Sequence, residues 1–278
     1  MDLGGGKSVI IGDARTQKTG ALLEALGRFI DGMGGTYIAG QDIGTDSHDM
    51  AVIRRATPHV SCVHANGGGA GDPSFATAFG VTAGMRAVLQ ATTGNDALAG
   101  RHIAIQGVGH VGGHVAKYCH EAGAKLTVTD VAREAADRAA ADFGAAVVEP
   151  GAIYGVECDV FAPCSIGAIV NDDTIPRLRC KGIAGAANNV LAEPRHGVAL
   201  MERGIVYGPD YLVNSGGLIR CQEEIRGSAV DDEAVLRKVS QIYAQTLAVI
   251  HAAKERGIST AEAADRLAEE RIARARVG

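Results

Sequence analysis

The sequence predicts an α/β protein that consists of a doubly wound parallel sheet and a smaller α/β domain preceding it. The main observation is that short apolar runs alternate with segments of helical periodicity from about residue 100 onward. The composition agrees, because a chain of 278 residues with 46% hydrophobic residues can bury one or two cores.

The first part of the chain predicts a β-α-β unit. Residues 7–13, KSVIIGD, form a short β-branched run that indicates a buried strand. Apolar residues recur at helical spacing over 22–33, and a glycine pair follows them. Residues 36–39 predict a second strand. The loop 40–45 then lies at a strand's carboxyl end, where active sites of open α/β sheets gather.

The remaining elements follow a break at the glycine-rich stretch 64–73. A helix is predicted to begin near Asp72-Pro73-Ser74, with proline suited to a first turn. Strands alternating with helices are predicted at 102–106, 125–129, 158–162, 181–184 and 204–207. One helix should then span 235–257, and a last helix should open with the capping box formed by Ser259 and Glu262.

Composition also excludes several classes of protein. The net charge of -5 argues against nucleic acid as a partner. The six cysteines form no C-x-x-C pair, so we expect no metal site and no disulfide framework. No apolar run has the length of a membrane span, and the first residues do not have the pattern of a signal peptide. We therefore expect a cytoplasmic protein.

The strongest motif is G-x-G-x-x-G, directly after a predicted strand and at the start of a predicted helix. Its residues, with the glycine that follows them, are Gly107, Val108, Gly109, His110, Val111, Gly112 and Gly113. In this context the glycines permit a tight turn, the approach of a pyrophosphate and close helix–strand packing. The alternative to a dinucleotide-binding site is a tight β–α turn in which the glycines have only a structural role. Because strand, glycines, helix, second strand and acid occur together, we predict a Rossmann dinucleotide-binding domain.

The acid that ends the second strand is Asp130, 23 positions after Gly107. A carboxylate here can accept both ribose hydroxyls and repels a 2′-phosphate, which favours NAD over NADP. Arg133 lies nearby and keeps NADP open as an alternative.

Residues 4–8, GGGKS, superficially match a phosphate-binding P-loop. That pattern requires a glycine where Met1 stands and a helix after Lys7, whereas a strand is expected there. Lys7 is therefore either a solvated surface charge or, if neutral, a general base.

Several separate motifs resemble those of the glutamate/leucine/phenylalanine/valine family of amino-acid dehydrogenases. They occur in family order over the whole chain: GGGKSVIIGD, QDIGTDSHDM, GDPSFATAFGV, VECDVFAPCSIGAIVND, IAGAANNVL, IVYGPDYLVNSGGLI and AADRLAEERI. The resemblance implies an NAD-dependent enzyme that reversibly converts an apolar L-amino acid of the Leu, Val or Phe type to a 2-oxo acid and ammonia.

The resemblance also implies roles for individual residues. Lys7 corresponds to the catalytic lysine, Asp42 to its acidic partner, and Asn189 to a residue that holds the substrate. The side-chain pocket would include Gly40, Leu218 and Cys221, and glycine at 40 leaves room for phenylalanine. The segments around the nicotinamide and its ribose would contain Thr77, Cys164, Ala186 and Asn214. Without the family, Thr77 is an ordinary helix residue, Cys164 a buried small hydrophobe and Asn214 a turn former.

Family members carry a further segment before Lys7, including a second lysine twelve residues upstream, so we expect a truncated catalytic domain here. The expected domains are 1–66, with the C-terminal helix 258–278 packing back on it, and an NAD-binding domain over 67–257. The resemblance implies a homo-oligomer. Two alternatives are a catalytically impaired NAD-binding fragment or regulatory module of the same fold, and a different Rossmann oxidoreductase that matches by chance.

Overall fold

The computed structural model describes residues 4–64, 71–226 and 230–277. The predicted loop 64–73, with its glycine-rich stretch 67–71, therefore lies largely outside the described residues. The chain divides into two compact units. The first is Met1–Pro73 with Gly217–Val235, and the second is Ser74–Gly216 with Leu236–Gly278.

The described helices are, in chain order, α1 Gly20–Asp31, α2 Ser47–Arg54, α3 Ser74–Thr93, α4 His110–Glu121, α5 Arg133–Phe143, α6 Arg195–Glu202, α7 Asp210–Val213, α8 Gly216–Ile225, α9 Asp232–Val239, α10 Ile242–Arg256 and α11 Thr260–Val277. The strands are β1 His102–Gln106, β2 Lys125–Thr129, β3 Ala146–Val147, β4 Cys158–Pro163, β5 Cys180–Ile183 and β6 Val206–Tyr207. Short 3₁₀ turns occur at Ile153–Gly155 and Ile175–Arg177.

The second unit is built on a parallel sheet with the strand order β3-β2-β1-β4-β5-β6. The order runs outward from β1 in one direction and from β4 in the other. The predicted doubly wound α/β fold is thereby confirmed. Strands β1 and β2 have the predicted bounds, and β4, β5 and β6 lie within two residues of theirs. The two-residue strand β3 was not predicted, because a run this short carries no periodic signal.

Both faces of this sheet are buried, as is usual for parallel sheets. Ile103 and Ile105 of β1 belong to the core cluster on one face, together with Val88 of α3. Ala104, between them, belongs to the cluster on the other face, together with Phe161 of β4. This two-residue alternation explains why the strands are continuous apolar runs rather than alternating ones.

The first unit corrects the predicted β-α-β arrangement. Residues 7–13 and 36–39 do not form strands; within the described residues, the pairing there is limited to an isolated bridge between Ala39 and Val60. Val9 and Ile11 are 76% and 98% exposed. A strand exists only when a neighbouring strand accepts and donates its backbone hydrogen bonds, and β-branched composition cannot supply that neighbour. The predicted helix is present as α1.

The core of the first unit forms between α1 and α2. Leu23 and Ile30 of α1 pack with Met50 and Ile53 of α2, and each of the four is at most 3% exposed. Helix α2 begins with a full capping box, in which Asp46 accepts from the N–H of Asp49 and the Asp49 carboxylate accepts from the N–H of Asp46. This cap ends the loop that carries Asp42.

The C-terminal part of the chain differs from the expected domain division. The predicted helix over 235–257 is two helices, because the chain turns at Ser240-Gln241 between α9 and α10. Helix α11 belongs to the second unit, where its Ala263 and Ala264 are buried with Val249 of α10, rather than to the unit of residues 1–66. Periodicity predicts that a helix has an apolar face, but not which surface covers it. Half of the capping box predicted for α11 is present, since Ser259 Oγ accepts from the N–H of Glu262 at 3.2 Å, while the Glu262 carboxylate accepts from Arg266.

Helix α3 lies close to the sheet because β5 contains a glycine. A Cβ on Gly182 would overlap Cγ1 of Val88 on α3 and lie 3.0 Å from the carbonyl oxygen of Val206. The absence of a side chain here sets the distance between helix and strand.

We expect Gly182→Ala to lower the free energy of unfolding by about 1–3 kcal/mol, since it overpacks a fully buried contact. Urea unfolding measures this. The control is Gly151→Ala, whose Cβ would meet nothing within 4 Å and should change stability by less than about 0.5 kcal/mol. Equal stability of the two variants would contradict the packing argument.

Candidate functional site

The turn from β1 to α4 is held by two close backbone contacts. Gly107 has φ +91°, and its N–H donates to Thr129 O of β2 at 2.8 Å. A Cβ on Gly107 would lie 2.8 Å from Cβ of Ser165. A Cβ on Gly112 would overlap the carbonyl oxygen of Gly107 and lie 3.1 Å from Cβ of Cys164. The protein's own packing therefore accounts for glycine at both positions.

Gly109 is different, because the protein's own contacts do not require glycine there. It is the N-cap of α4, makes no side-chain cap and would have nothing within 4 Å of an added Cβ. Next to it stand the first N–H groups of α4, where the helix dipole favours negative charge. A missing side chain beside an open helix N-terminus matches what a pyrophosphate needs.

Asp130 lies immediately after β2, and the backbone on both sides positions its carboxylate. Oδ2 accepts from the N–H of Val108 at 2.8 Å, and Oδ1 accepts from the N–H of Ala132 at 2.9 Å. Each carboxylate oxygen keeps acceptor capacity for a further donor. The side chain is thus held next to the glycine turn in a position to accept ribose hydroxyls.

Arg133, which could favour a 2′-phosphate instead, is engaged within α5. Its Nε donates to Asp137 Oδ1 at 2.8 Å, and its guanidinium lies 3.7 Å from Glu149. These acidic neighbours raise the pKa of Arg133, and Asp137 engages its Nε–H. The charge balance around the end of β2 is therefore unfavourable for an added phosphate.

Cys164 joins the glycine turn from the neighbouring strand β4. Its N–H donates to Gln106 O at 2.7 Å. Burial raises the pKa of its thiol to about 12, which makes it an inert thiol. Since β1 and β4 are the strands at which the sheet order reverses, this is the crevice in which doubly wound proteins bind ligands.

Two other predicted residues meet through a hydrogen bond. Asn214 Nδ2 donates to Ala186 O at 3.2 Å and to Asn188 Oδ1 at 2.7 Å. Thr77 lies on α3 and is partly buried. Ala186 and Asn214 are therefore in direct contact. Cys164 contacts the glycine turn through its hydrogen bond to Gln106.

Asn189 is exposed and has φ +51°, a left-handed conformation that asparagine tolerates better than most residues. The loop around it is held by Asp210, which sequence reasoning did not single out. Asp210 is 6% exposed, and its carboxylate accepts from the N–H groups of Val190 at 2.7 Å and Tyr211 at 2.6 Å. The sequence signal was an acidic residue after Gly-Pro in an otherwise apolar segment.

In the first unit, Lys7 and Asp42 form a direct ion pair across 35 residues. Their side chains are 61% and 44% exposed. An exposed pair of this kind stabilises a fold by only about 0–1 kcal/mol. Stability alone is a weak reason for this juxtaposition, which places an amine and a carboxylate together at an open surface.

The loop that carries Asp42 is supported by contacts that the sequence did not indicate. Thr45 Oγ1 accepts from the N–H of Asp42 at 2.9 Å and donates to its carbonyl oxygen at 2.8 Å. Lys18 Nζ donates to Gly44 O at 3.1 Å and to Asp49 Oδ2 at 2.5 Å. Lys18 thereby ties the loop to the start of α2, and its signal in the sequence was no stronger than that of any surface lysine.

The predicted side-chain pocket residues also lie in the first unit. An added Cβ on Gly40 would be 3.2 Å from Ser61 Oγ and 3.7 Å from Cys62 Sγ. Cys62 Sγ in turn lies 2.7 Å from Cys221 Sγ. Leu218 is three residues before Cys221 on α8 and is 62% exposed. Gly40 and Cys221 are thus linked through Cys62, which the sequence had not singled out.

The described residues lack two further features. No three His, Cys, Asp or Glu side chains among them are grouped so that they could hold a metal ion. Among the helices of the described residues, none has the length and apolar composition needed to cross a membrane.

The reversal of strand order at β1 and β4, with the glycine turn beneath the start of α4, defines an α/β protein of the Rossmann type. The sequence model for Glutamate/Leucine/Phenylalanine/Valine dehydrogenase matches residues 67–133 and 127–277. The model for the Glu/Leu/Phe/Val dehydrogenase dimerisation domain matches residues 1–59. The chain belongs to this family of amino-acid dehydrogenases, oxidoreductases that act on CH–NH₂ groups with a nicotinamide cofactor. The predicted family is confirmed.

Individual proteins similar to this chain support the same family. The leucine dehydrogenase of Thermoactinomyces intermedius is 51% identical over 272 residues, which cover 98% of this chain and 74% of that protein. The phenylalanine dehydrogenase of the same organism is 42% identical over 274 residues, with coverage of 98% and 74%. The crystal structure of L-tryptophan dehydrogenase from Nostoc punctiforme is 39% identical, covers 96% of this chain and 76% of that one, and has a TM-score of 0.80.

Proposed function

We propose that this chain catalyses the NAD-dependent, reversible oxidative deamination of an apolar L-amino acid to its 2-oxo acid and ammonia. The observation that carries the proposal is the exposed ion pair of Lys7 and Asp42, two residues that the family resemblance names as the catalytic pair. The matches to leucine and phenylalanine dehydrogenases over 98% of the chain support the same reaction class.

The cofactor site in this proposal is the glycine turn. Gly109 leaves space for the pyrophosphate at the first N–H groups of α4, and Asp130 accepts the ribose hydroxyls. Cys164, Ala186, Asn214 and Thr77 line the region of the nicotinamide and its ribose. Asp137 and Glu149 lie next to Arg133 and offset its charge, which supports NAD over NADP.

The bound nicotinamide supplies the acceptor for the hydride that leaves the substrate's α-carbon. Lys7, when neutral, takes a proton from the water that adds to the resulting iminium carbon. Asp42, in direct contact with Lys7, moves protons to and from the substrate's amino group and the carbinolamine. The hydrogen bonds of Thr45 and Lys18 hold the Asp42 loop, so that both groups keep one geometry.

The substrate's side chain is proposed to contact Gly40, Leu218 and Cys221 of the first unit. Asn189, in the second unit, is proposed from the resemblance to hold the substrate near its α-carbon. The 51% identity to a leucine dehydrogenase, against 42% to a phenylalanine dehydrogenase, supports a leucine-type substrate. A catalytically silent NAD-binding module is not favoured, because the Lys7–Asp42 pair is retained.

The protein is also proposed to act as a homo-oligomer. The support is the match of residues 1–59 to the family's dimerisation domain. Its partners would otherwise be small molecules: the amino acid, the 2-oxo acid and ammonia.

We expect the purified protein to form NADH from apolar L-amino acids, with leucine above phenylalanine and with little reduction of NADP. Absorbance of the reduced nicotinamide measures this over a panel of L-amino acids, with D-leucine and L-aspartate as negative controls. Tight NADH binding without turnover of any amino acid would instead select the silent module.

We expect Gly109→Ala to raise the dissociation constant of NADH about tenfold or more, a loss of at least about 1.4 kcal/mol, because its Cβ occupies the phosphate's space. Its thermal stability should stay unchanged, since an added Cβ meets no protein atom within 4 Å. Titration of NADH fluorescence and a melting curve measure the two quantities. Gly155→Ala, equally open, is the matched control for both. Unchanged NADH affinity in Gly109→Ala would remove the turn from the cofactor site.

We expect Lys7→Ala to reduce kcat by about a hundredfold or more, the range for loss of a general base, while NADH affinity stays unchanged. Arg15→Ala is the control, because it removes another exposed cation of the first unit, one paired with Asp13 at 3.3 Å. Steady-state kinetics with L-leucine and NAD provide the measurement. Retained turnover in Lys7→Ala would exclude the proposed role of Lys7.

A further inference from the structure

Two thiols lie in contact beside the proposed side-chain pocket. Cys62 Sγ and Cys221 Sγ are 2.7 Å apart, whereas a disulfide has a length of about 2.05 Å. A movement of less than one ångström along the line between the sulfurs would bring them to bonding distance. They are 159 residues apart in sequence, so the pairing is a product of the fold.

The backbone of Cys62 is arranged to direct its thiol to this point. Cys62 has φ +62°, a left-handed conformation that is uncommon for any residue other than glycine, and its side chain is 1% exposed. Its N–H donates to Glu224 Oε2 at 2.8 Å. Glu224 lies on α8, three residues after Cys221. The surrounding contacts therefore hold Cys62 in a backbone conformation that glycine would adopt more easily. This conformation places the Cys62 thiol next to Cys221.

The electrostatics of the pair favour a thiolate. The Cys221 thiol donates to Cys62 Sγ and lowers the pKa of Cys62 to about 7. The same contact, together with burial, raises the pKa of Cys221. The negative charge therefore lies on Cys62 and the proton on Cys221, whose hydrogen bond is a direct path for that proton to move to Cys62. Cys221 is partly exposed, which gives a small solute access to the pair.

The other thiols provide a contrast within the molecule. Cys158 and Cys180 are register partners on the adjacent parallel strands β4 and β5. Burial raises the pKa of Cys180 to about 12 and also raises that of Cys158. Proximity is therefore shared by two pairs of cysteines, but thiolate character and access belong to Cys62 and Cys221.

We propose that Cys62 and Cys221 form a reversible dithiol–disulfide site for hydroperoxides, and that its oxidation lowers turnover by constraining the side-chain pocket. In the first step the Cys221 sulfur passes its proton to the Cys62 thiolate and attacks the outer oxygen of the hydroperoxide. The O–O bond breaks, the alcohol leaves after taking up a proton, and Cys221 becomes a sulfenic acid. The Cys62 sulfur then attacks the Cys221 sulfur, the S–S bond forms and water leaves. Two thiols have lost two electrons and two protons, and the hydroperoxide has been reduced.

The effect on turnover rests on the proposed function, whereas the formation of the bond does not. Cys62 Sγ lies 3.7 Å from the Cβ position of Gly40, two residues before Asp42. The disulfide ties this segment to α8, which carries Leu218. A displacement of about an ångström in a substrate-positioning segment can cost as much as a hundredfold in rate, so we expect a loss of tenfold or more in kcat/KM.

The test oxidises the whole native protein with hydrogen peroxide, then counts thiols in denaturant and maps cross-linked peptides by mass spectrometry. We expect two fewer thiols out of six, a cross-link between the peptides of Cys62 and Cys221, and recovery of thiols and turnover with dithiothreitol. Cys62→Ser should lose the cross-link and the loss of turnover that dithiothreitol reverses. Cys180→Ser is the matched control and should keep both. Affinity for NADH should be unchanged by oxidation, which excludes general unfolding.

The outcomes separate the two proposals. Absence of the Cys62–Cys221 cross-link in the wild-type protein overturns the thiol site, even where the reduced protein turns over amino acids. A cross-link with unchanged turnover overturns the effect on the pocket. A cross-link in a reduced-state protein that has NADH affinity but no dehydrogenase activity would support the thiol site and count against the proposed function.

Discussion

The close approach of Gly112 to the carbonyl oxygen of Gly107 is the constraint on which the second unit depends. No side chain fits between them, so the start of α4 packs directly against the end of β1. This contact positions the first N–H groups of α4 at the carboxyl edge of the sheet, beside β4 and the carboxylate of Asp130. The dipole of α4 and the topological reversal then coincide, and a dinucleotide site needs both.

In the first unit, by contrast, the proposed catalytic pair is exposed. The Lys7–Asp42 pair contributes little to stability, and its loop is held by Thr45, Lys18 and the capping box of α2. In a core, packing positions the side chains; here these hydrogen bonds position the loop of Asp42 instead. A proton-transfer pair needs access to substrate and water, and a supported surface loop provides both access and geometry.

The pair of thiols, Cys62 and Cys221, combines a buried residue with a partly exposed one. Cys62 belongs to the core cluster of the first unit, and Cys221, on α8, packs against the same cluster. A covalent link there would connect a rigid core segment to a helix that carries proposed pocket residues. Sensitivity to oxidation would then be a property of pocket geometry and not of the cofactor turn, where Cys164 is inert because it is buried.

The sequence by itself determined the Rossmann sheet and the glycine turn after β1, because both depend on local signals. Apolar runs predicted the strands, and the spacing of Gly107, Gly109, Gly112 and Asp130 is a short-range pattern with a direct steric cause. The tertiary structure alone decided that residues 7–13 do not form a strand, since strand formation requires a partner that composition does not specify. It also decided the position of α11, the support by Lys18 and Asp210, and the meeting of Cys62 with Cys221. Each of these depends on contacts between residues distant in sequence, which no local pattern records.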